Sequence, residues 1–193
     1  DFGNQIVDDK RWPLFGHTMK PWQQRGQTII VLGQHNASEQ WAGLPDMRTW
    51  VESQIHQIRK HTDRPIQVRP HPRNPIGFDV RKYANVSFKN PIMDASTVDD
   101  TDFKNTLQDA WAVVNHSSNP AMEAVINGIP VFVSEASLCY DVGNHSLDTI
   151  NNPVMPDRKS WANKLSYTEW FPNEIENGLP WKRIKARLEE AYL

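Results

Sequence analysis

The chain has 193 residues, and its 21 lysines and arginines against 23 aspartates and glutamates give a formal net charge of -2. This balance excludes the uniformly basic surface of proteins that bind nucleic acid nonspecifically, but it does not exclude a local basic groove. The length suits one sizeable α/β domain or at most two small ones. A single cysteine, Cys139, rules out an internal disulfide and favours a reducing compartment. No run approaches the roughly 20 apolar residues of a transmembrane helix, so we expect a cytoplasmic protein without a membrane span.

Residues 1–27 are polar and broken by proline and glycine, which predicts an irregular arm or interdomain linker. The remainder, 28–193, is predicted to be a single domain in which short apolar strands alternate with helical patterns. In order, the predicted elements are strand 28–32, helix 45–61, strand 65–68, strand 86–88, acidic loop 94–102, helix 103–110, strand 111–114, helix 121–126 and strand 129–133. This alternation predicts a Rossmann-like, doubly wound parallel sheet with crossover helices.

The segment 111–133 has a compact βαβ pattern, with a polar turn between its first strand and its helix. Pro120 suits the first helical position, and Ser118 or Asn119 is predicted to cap the free N–H groups there. Asn127-Gly128 is a usual helix-ending pair. Hydroxyls and unpaired N–H groups at a helix N-terminus predict a place for a phosphate or another anion.

Polar turns follow three of the predicted strands, at residues 33–36, 69–73 and 115–118. Because the carboxyl ends of parallel strands lie along one edge of a sheet, we expect these turns to face a common crevice. Arg69, His71 and Arg73 are the predicted donors to phosphate oxygens in that crevice.

Further side chains of the same edge are predicted to complete the site. Ser117 and Ser118, with Asn119 and the helix that follows, would form a cradle for the phosphate, and Gln34 joins them from the first turn. Glu123 lies about one turn into the helix, from where its carboxylate could reach the hydroxyl pair of a ribose. The residues therefore predict a site for a nucleotide monophosphate or diphosphate.

Each of these features also has a purely structural interpretation as a cap, a loop or a surface residue. A metal site is the main rival, although no usual zinc-binding spacing occurs; its potential ligands are His35, His71, His116, Asp99, Asp100 and Asp102. His116 either faces the site or packs beside Trp111. A Ser-His-acid hydrolase is disfavoured because the G-x-S-x-G pattern is missing. The acidic loop is interpreted as charging and capping the start of the helix after it.

Three motifs together resemble the C-terminal domain of GT-B glycosyltransferases: Arg69-Pro70-His71-Pro72, the segment 114–124 and Gly128-Ile129-Pro130-Val131. The resemblance covers roughly residues 28–190. It is greatest to the group with an HP motif and a paired-hydroxyl motif, which includes bacterial sialyltransferases and capsule-polysaccharide Kdo transferases. The E-A-x-x-x-G-x-P-V pattern from Glu123 is also typical of GT-B donor domains, and the tail is similar to that of bacterial and phage proteins of this type.

The resemblance implies that His71, Ser117 and Ser118 hold the phosphate of a nucleotide-sugar donor and that Glu123 binds its ribose. It also implies metal-independent sugar transfer without a further cofactor, in which Arg69 and His71 stabilise the leaving phosphate. An enzyme of this fold has two Rossmann-like domains, so an N-terminal acceptor domain is the expected partner. The expected role is polysaccharide biosynthesis, with a glycan, a lipid, a protein or a modified nucleic acid as acceptor.

Two other functions stay open at this point. A nucleotide-sugar 2-epimerase uses a similar two-domain scaffold, and this chain would then be one half of an isomerase. A nucleotide-binding module without activity of its own would keep the site and perform no chemistry. The sequence specifies neither the base nor the sugar.

Overall fold

The computed structural model describes residues 7–23, 25–94, 97–98 and 100–192, which form two compact units. Thr18–Asp157 is the sheet unit, and the described residues of Asp1–His17 and Arg158–Leu193 are the terminal unit. The sequence pattern places a single boundary after residue 27, whereas the contacts divide the chain at residues 17 and 157. The described residues of 18–27 therefore belong with the sheet unit.

The sheet unit is built on a parallel sheet of five strands in the order β3-β2-β1-β6-β7, and a separate antiparallel pair joins β4 to β5. The strands are β1 (Thr28–Leu32), β2 (Ile66–Arg69), β3 (Val86–Phe88), β4 (Met93–Asp94), β5 (Thr97–Val98), β6 (Ala110–Val114) and β7 (Val131–Phe132). All pairings within the five-stranded sheet are parallel. The predicted Rossmann-like α/β fold class is confirmed at this level.

Both faces of the central strands are covered. Ile29, Ile30 and Val31 follow one another in β1 and none of them is exposed, although alternate residues of a strand point to opposite faces. The five residues of β6 are buried as well. Continuous apolar strands of this kind are typical of parallel sheets with helices on both sides.

Six helices are present in the described part of the chain. They are α1 (Met47–Arg59), α2 (Asp100–Leu107), α3 (Pro120–Ile126), α4 (Lys159–Leu165), α5 (Pro172–Glu176) and α6 (Leu179–Tyr192). Asp46 starts α1, since its carboxylate accepts the N–H groups of Arg48 and Thr49. Among the described residues, no helix is both long and apolar enough to cross a membrane.

Three local predictions need correction. The last predicted strand, 129–133, is reduced to Val131–Phe132, because Pro130 has no N–H to donate to a ladder. The acidic loop 94–102 contains strand residues at 94 and 97–98, and α2 begins within it at Asp100; residues 95, 96 and 99 lie outside the described chain. No side chain caps α3: Asn119 occupies the N-cap position without a capping bond.

The core lies between the sheet and α1. Val51, Ile55 and Ile58 of the helix are fully buried, and they cluster with Ile29 and Val68 of the strands. Replacing Ile55 with valine removes one methylene from this cluster, so we expect the free energy of unfolding to fall by about 0.5–1.5 kcal/mol. Urea denaturation measures this change. The same replacement at Ile92, which is 52% exposed, is the matched control and should change the stability by less than about 0.5 kcal/mol.

The terminal unit is organised around Arg11, which is buried among the segments of this unit. Its guanidinium pairs with the carboxylate of Glu174 and donates to the backbone oxygens of Ser166 and Glu169, each over 2.8 Å. The cation also lies 4.2 Å from the centroid of the Trp170 ring. One arginine thus ties the start of the described chain to the segment after α4, which no sequence periodicity predicts.

Candidate functional site

The loops that follow β1, β2 and β6 lie side by side, because these three strands are neighbours and run in the same direction. The chain places β2 and β3 on one side of β1, and β6 and β7 on the other. Ligands of open parallel sheets bind at the carboxyl edge beside such a reversal of strand order. The structure therefore provides the common edge that was expected for the three polar turns.

Gly33 allows the first two loops to approach each other. Its N–H donates to the backbone oxygen of Arg69 over 2.8 Å. A Cβ at this position would lie 3.2 Å from Pro70 Cα and 3.3 Å from His71 N. A larger residue would push the loops apart, so this glycine holds the His71 loop against the loop that carries His35.

Both histidines at this edge use Nδ1 as an acceptor. His35 Nδ1 accepts from the N–H of Ala37 over 3.0 Å, and His71 Nδ1 accepts from the N–H of Arg73 over 3.1 Å. A ring nitrogen that accepts an N–H carries no proton, so in each neutral ring the proton is on Nε2. The two rings meet edge to face with their centroids 5.4 Å apart. Two imidazole N–H donors are thus brought together beside the strand-order reversal.

The surroundings favour the uncharged form of His71. Burial lowers the pKa of this imidazole below its ordinary 6.5, and the neighbouring His35 and Arg73 lower the pKa further. Protonating Nδ1 would also break the bond from the Arg73 N–H. The ring is therefore a neutral hydrogen-bond donor at neutral pH. Because Nε2 holds the proton, it has no lone pair for a metal, and this tautomer suits an anion.

Gln34 connects all three loops and is only 6% exposed. Its Oε1 accepts from the backbone N–H and the hydroxyl of Ser117, over 3.3 and 3.1 Å. Its backbone oxygen accepts from Asn74 Nδ2 over 3.1 Å, and its Nε2 donates to Ser38 Oγ over 3.1 Å. Gln34 thus fixes the relative position of the loops through bonds within the protein.

The two predicted hydroxyls have different surroundings. Ser117 is 5% exposed, and its hydroxyl lies between Gln34 Oε1 and Gln40 Oε1, 3.0 Å from the latter. Ser118 is half-buried, and its Oγ and backbone oxygen both accept from Asn115 Nδ2 over 2.8 Å. Asn119 is exposed at the start of α3. Ser117 therefore stabilises the loops beneath the site, while Ser118 and Asn119 are more exposed.

Arg69 does not join His71 at the edge. It is 3% exposed, and its guanidinium turns to α2, where Nη2 lies 2.7 Å from Asp102 Oδ2 and Nη1 donates to Thr106 over 3.1 Å. Lys89 Nζ binds the other oxygen of the same carboxylate at 2.7 Å. Arg69 is therefore a structural anchor at the end of β2 in this conformation, and Asp102 is its partner within the predicted acidic loop.

Two further predicted residues also have defined places. Arg73 is exposed, and its backbone N–H orients the His71 ring. Glu123 is half-buried in α3, where its Oε1 accepts from Asn127 Nδ2 over 2.8 Å. Its carboxylate thus accepts a hydrogen bond at the end of its own helix in this structure.

Of the residues named as metal ligands, His35 and His71 lie close together, but they do not form a larger cluster with the other described candidates. Among the described residues, no group of three or more His, Cys, Asp or Glu side chains is placed to hold a metal ion. The ring of His116 packs edge to face on Trp41 with the centroids 5.1 Å apart. Asp102 is committed to Arg69 and Lys89, and Asp99 lies outside the described residues.

Sequence reasoning missed the contributions of Gln40 and Asn74 and left His35 only as a potential metal ligand. His35 could have been found, since it lies in a polar strand end like His71. Gln40 and Asn74 carry no such signal, because their roles depend on how the loops fold back. Comparisons of the chain with family models, curated proteins and solved structures found no match.

Proposed function

We propose that this chain binds a nucleotide sugar at the carboxyl edge of its sheet and serves as the donor domain of a metal-independent glycosyltransferase of the GT-B type. The observation that supports the proposal most is the pair of Nε2–H donors of His35 and His71, whose Nδ1 atoms both accept backbone N–H groups. They lie beside the reversal of strand order where ligands of this fold class bind.

Phosphate oxygens suit this arrangement. A hydrogen bond to a charged group is stronger than one between neutral groups, and two neighbouring N–H donors could each bind one oxygen of the same phosphate. Arg73, exposed on the His71 loop, adds a positive charge nearby without an acid among its own loop neighbours. A diphosphate would then extend along the carboxyl edge of the sheet. Its second phosphate would lie near Ser118 and Asn119, which follow β6.

The same groups would assist sugar transfer. As the bond between the sugar and the phosphate breaks, negative charge grows on the leaving phosphate, and prepositioned N–H donors stabilise that charge. The Nε2–H groups of His35 and His71 supply such donors without a metal. Arg69 contributes by position in this proposal: its buried ion pair holds the end of β2, from which the His71 loop departs.

A second domain would bind the acceptor and would carry the base that deprotonates it. An epimerase half and an inactive nucleotide-binding module share the same donor site, so they differ from the proposed enzyme in chemistry and not in nucleotide binding. Assays of nucleotide-sugar turnover with candidate acceptors would separate sugar transfer from isomerisation and from binding alone.

Nucleotide titration of the unmodified chain tests the donor site. We expect UDP, CMP or GDP to bind, to bind equally well in EDTA, and to bind at least about tenfold more tightly than the matching nucleoside, because the donors address the phosphate. Isothermal titration calorimetry measures the affinities. Equal affinity for nucleotide and nucleoside, or no binding by any of the three nucleotides, would contradict the proposal.

A further inference from the structure

A cavity of about 200 Å³ adjoins the candidate nucleotide site at the ends of β6 and β7. Residues of α1 and of the segment 144–147 form its other walls. Asn115 and His116 line it and also belong to the third polar loop, 115–118. Pockets that hold drug-sized ligands have roughly 300–1,000 Å³, so this cavity suits a single ring and not a whole nucleoside.

Part of the lining is apolar and fixed in place. Val114 and Phe132 are buried members of the core cluster, and Trp50 packs against the same cluster. The rings of Trp50 and His116 both meet Trp41 edge to face, with their centroids 5.6 and 5.1 Å from its centroid. The cavity thus offers preformed apolar and aromatic surface to one face of a ring.

The polar groups of the lining have unused hydrogen-bonding capacity. Asn115 Nδ2 donates to the Oγ and the backbone oxygen of Ser118, which fixes the amide, and its buried Oδ1 has no partner among the described residues. Such unpaired buried acceptors are rare in folded proteins. Within the described chain, the Gln54 amide and the Trp50 indole N–H also form no hydrogen bond. His145 donates from Nε2 to a backbone oxygen over 2.9 Å, which leaves Nδ1 of the neutral ring as an acceptor.

Donors and acceptors are thus mixed along the lining. Hydroxyl groups match such a mixture, because each of them can both donate and accept. A group with several hydroxyls around an apolar ring therefore fits the cavity.

The charge of the lining favours a neutral group. Among the described residues that line the cavity, none is a lysine, an arginine, an aspartate or a glutamate. Arg48, close by in α1, is paired with Glu52 over 3.0 Å, and Asp148 lies 3.2 Å from His61. Glu135, which follows a lining serine, is exposed and would repel an anion. A carboxylate in this cavity would be buried without a lysine or arginine beside it, which is costly.

We propose that this cavity holds the sugar of the nucleotide donor and that the sugar is a neutral hexose. The inference rests on the donor site proposed above, in which the second phosphate lies near Ser118. The sugar is attached to that phosphate and enters the neighbouring cavity. Its apolar face lies on Trp50, and its hydroxyls bond to Gln54, Asn115 and His145.

The proposed sugar differs from the one that the sequence resemblance implies. Sialic acid and Kdo, the sugars of the transferases with HP and paired-hydroxyl motifs, both carry a carboxylate. The cavity offers that carboxylate no lysine or arginine among its described lining residues. We therefore expect this chain to have kept the phosphate motifs and to use a different class of sugar.

Paired titrations of the unmodified chain test this proposal. UDP-glucose and UDP-glucuronate differ only in the carboxylate at C6 of the sugar, and GDP-mannose and GDP-mannuronate form the same pair for GDP. At about pH 8, where histidine side chains are ordinarily uncharged, the neutral member should bind at least about tenfold more tightly than its acidic partner. It should also bind at least about threefold more tightly than the free nucleotide. CMP-N-acetylneuraminate should bind no more tightly than CMP.

Variants of α1 locate the sugar. Gln54→Arg adds a cation to the lining and should shift the preference towards the acidic sugar nucleotide by at least about tenfold. Gln57→Arg adds the same charge at an exposed position of the same helix outside the lining, so it should keep the original preference. Gln54→Leu should weaken the neutral sugar nucleotide by about three- to tenfold and leave the free nucleotide unchanged.

The outcomes separate this inference from the proposed function. If free nucleotides bind but an acidic sugar nucleotide binds more tightly than its neutral partner, the inference is wrong and the donor site stands. Equal affinity for the neutral sugar nucleotide and the free nucleotide, or equal effects of Gln54→Arg and Gln57→Arg, would also overturn it. If no nucleotide binds, both the donor site and the inference are wrong.

Discussion

Replacing Arg69 with methionine is expected to lower the free energy of unfolding by about 3–5 kcal/mol, the usual cost of removing one partner from a buried ion pair. The guanidinium is 3% exposed and binds Asp102 and Thr106. Methionine fills much of the same space but leaves the buried carboxylate of Asp102 paired with Lys89 and without the guanidinium of Arg69. Urea denaturation followed by circular dichroism measures the loss.

The double variant Arg69→Met/Asp102→Leu is the control for this prediction. It removes both charges, so it should recover most of the stability that the single variant loses. A loss below about 1 kcal/mol in Arg69→Met would contradict the structural role of the pair. Such a result would return Arg69 to the set of phosphate donors that the HP motif suggests.

The same pair gives the protein a defined sensitivity to acid. Burial acts to raise the pKa of Asp102, but hydrogen bonds from Lys89 and Arg69 outweigh it and hold the pKa at about 2. Because the folded pKa lies below the unfolded one, the carboxylate contributes stability above about pH 4 that is lost as the pH falls to about 2. We expect this loss to be about 1–2 kcal/mol and to be missing in Asp102→Asn.

Replacing His71 with leucine should weaken nucleotide binding by about 1.5–3 kcal/mol, which is roughly a factor of ten to 100 in Kd. The leucine keeps the bulk of the ring and removes the Nε2–H donor. His71→Gln is the conservative partner, because its amide nitrogen can take the place of Nε2 and donate to the same oxygen. It should therefore restore part of the affinity, which a purely structural role of the ring would not explain.

A matched change at His56 serves as the reference for this series. His56 is exposed in the last turn of α1, where its ring centroid lies 5.7 Å from that of Tyr83, and it does not belong to the three polar loops. His56→Leu should leave nucleotide affinity unchanged. Equal losses in His71→Leu and His71→Gln, with unaltered stability, would mean that the ring contributes by shape and not as a donor.

Much of the fold could be predicted from local sequence. The bounds of β1 and β3 agree with the predicted 28–32 and 86–88, because β-branched and aromatic residues prevail in each and turn residues border them. The predicted bounds are wrong where a tertiary contact determines the local structure. Asp102 was assigned to a loop, yet it is drawn into α2 and paired with Arg69 from a strand 33 positions earlier. No periodicity in the sequence reports such a pair.

The candidate site was predictable in its location and less so in its members. Parallel topology alone brings the loops of Gln34, His71 and Ser117 to one edge. The orientation of each side chain depends on which partners the fold brings near it. Arg69 pairs with the carboxylate of Asp102 and therefore turns away from the edge. The ring of His35 is oriented by the hydrogen bond from the Ala37 N–H to its Nδ1, which forms only when the loop is folded.

Long-range ¹H–¹⁵N NMR of the histidine rings tests the central claim most directly. The chain has seven histidines, and this measurement gives the tautomer of each ring. We predict that His35 and His71 carry their proton on Nε2 at neutral pH and that these two Nε2 signals shift when UDP, CMP or GDP is added. Rings with the proton on Nδ1, or nucleotide-dependent shifts confined to His17 or His56, would contradict the account.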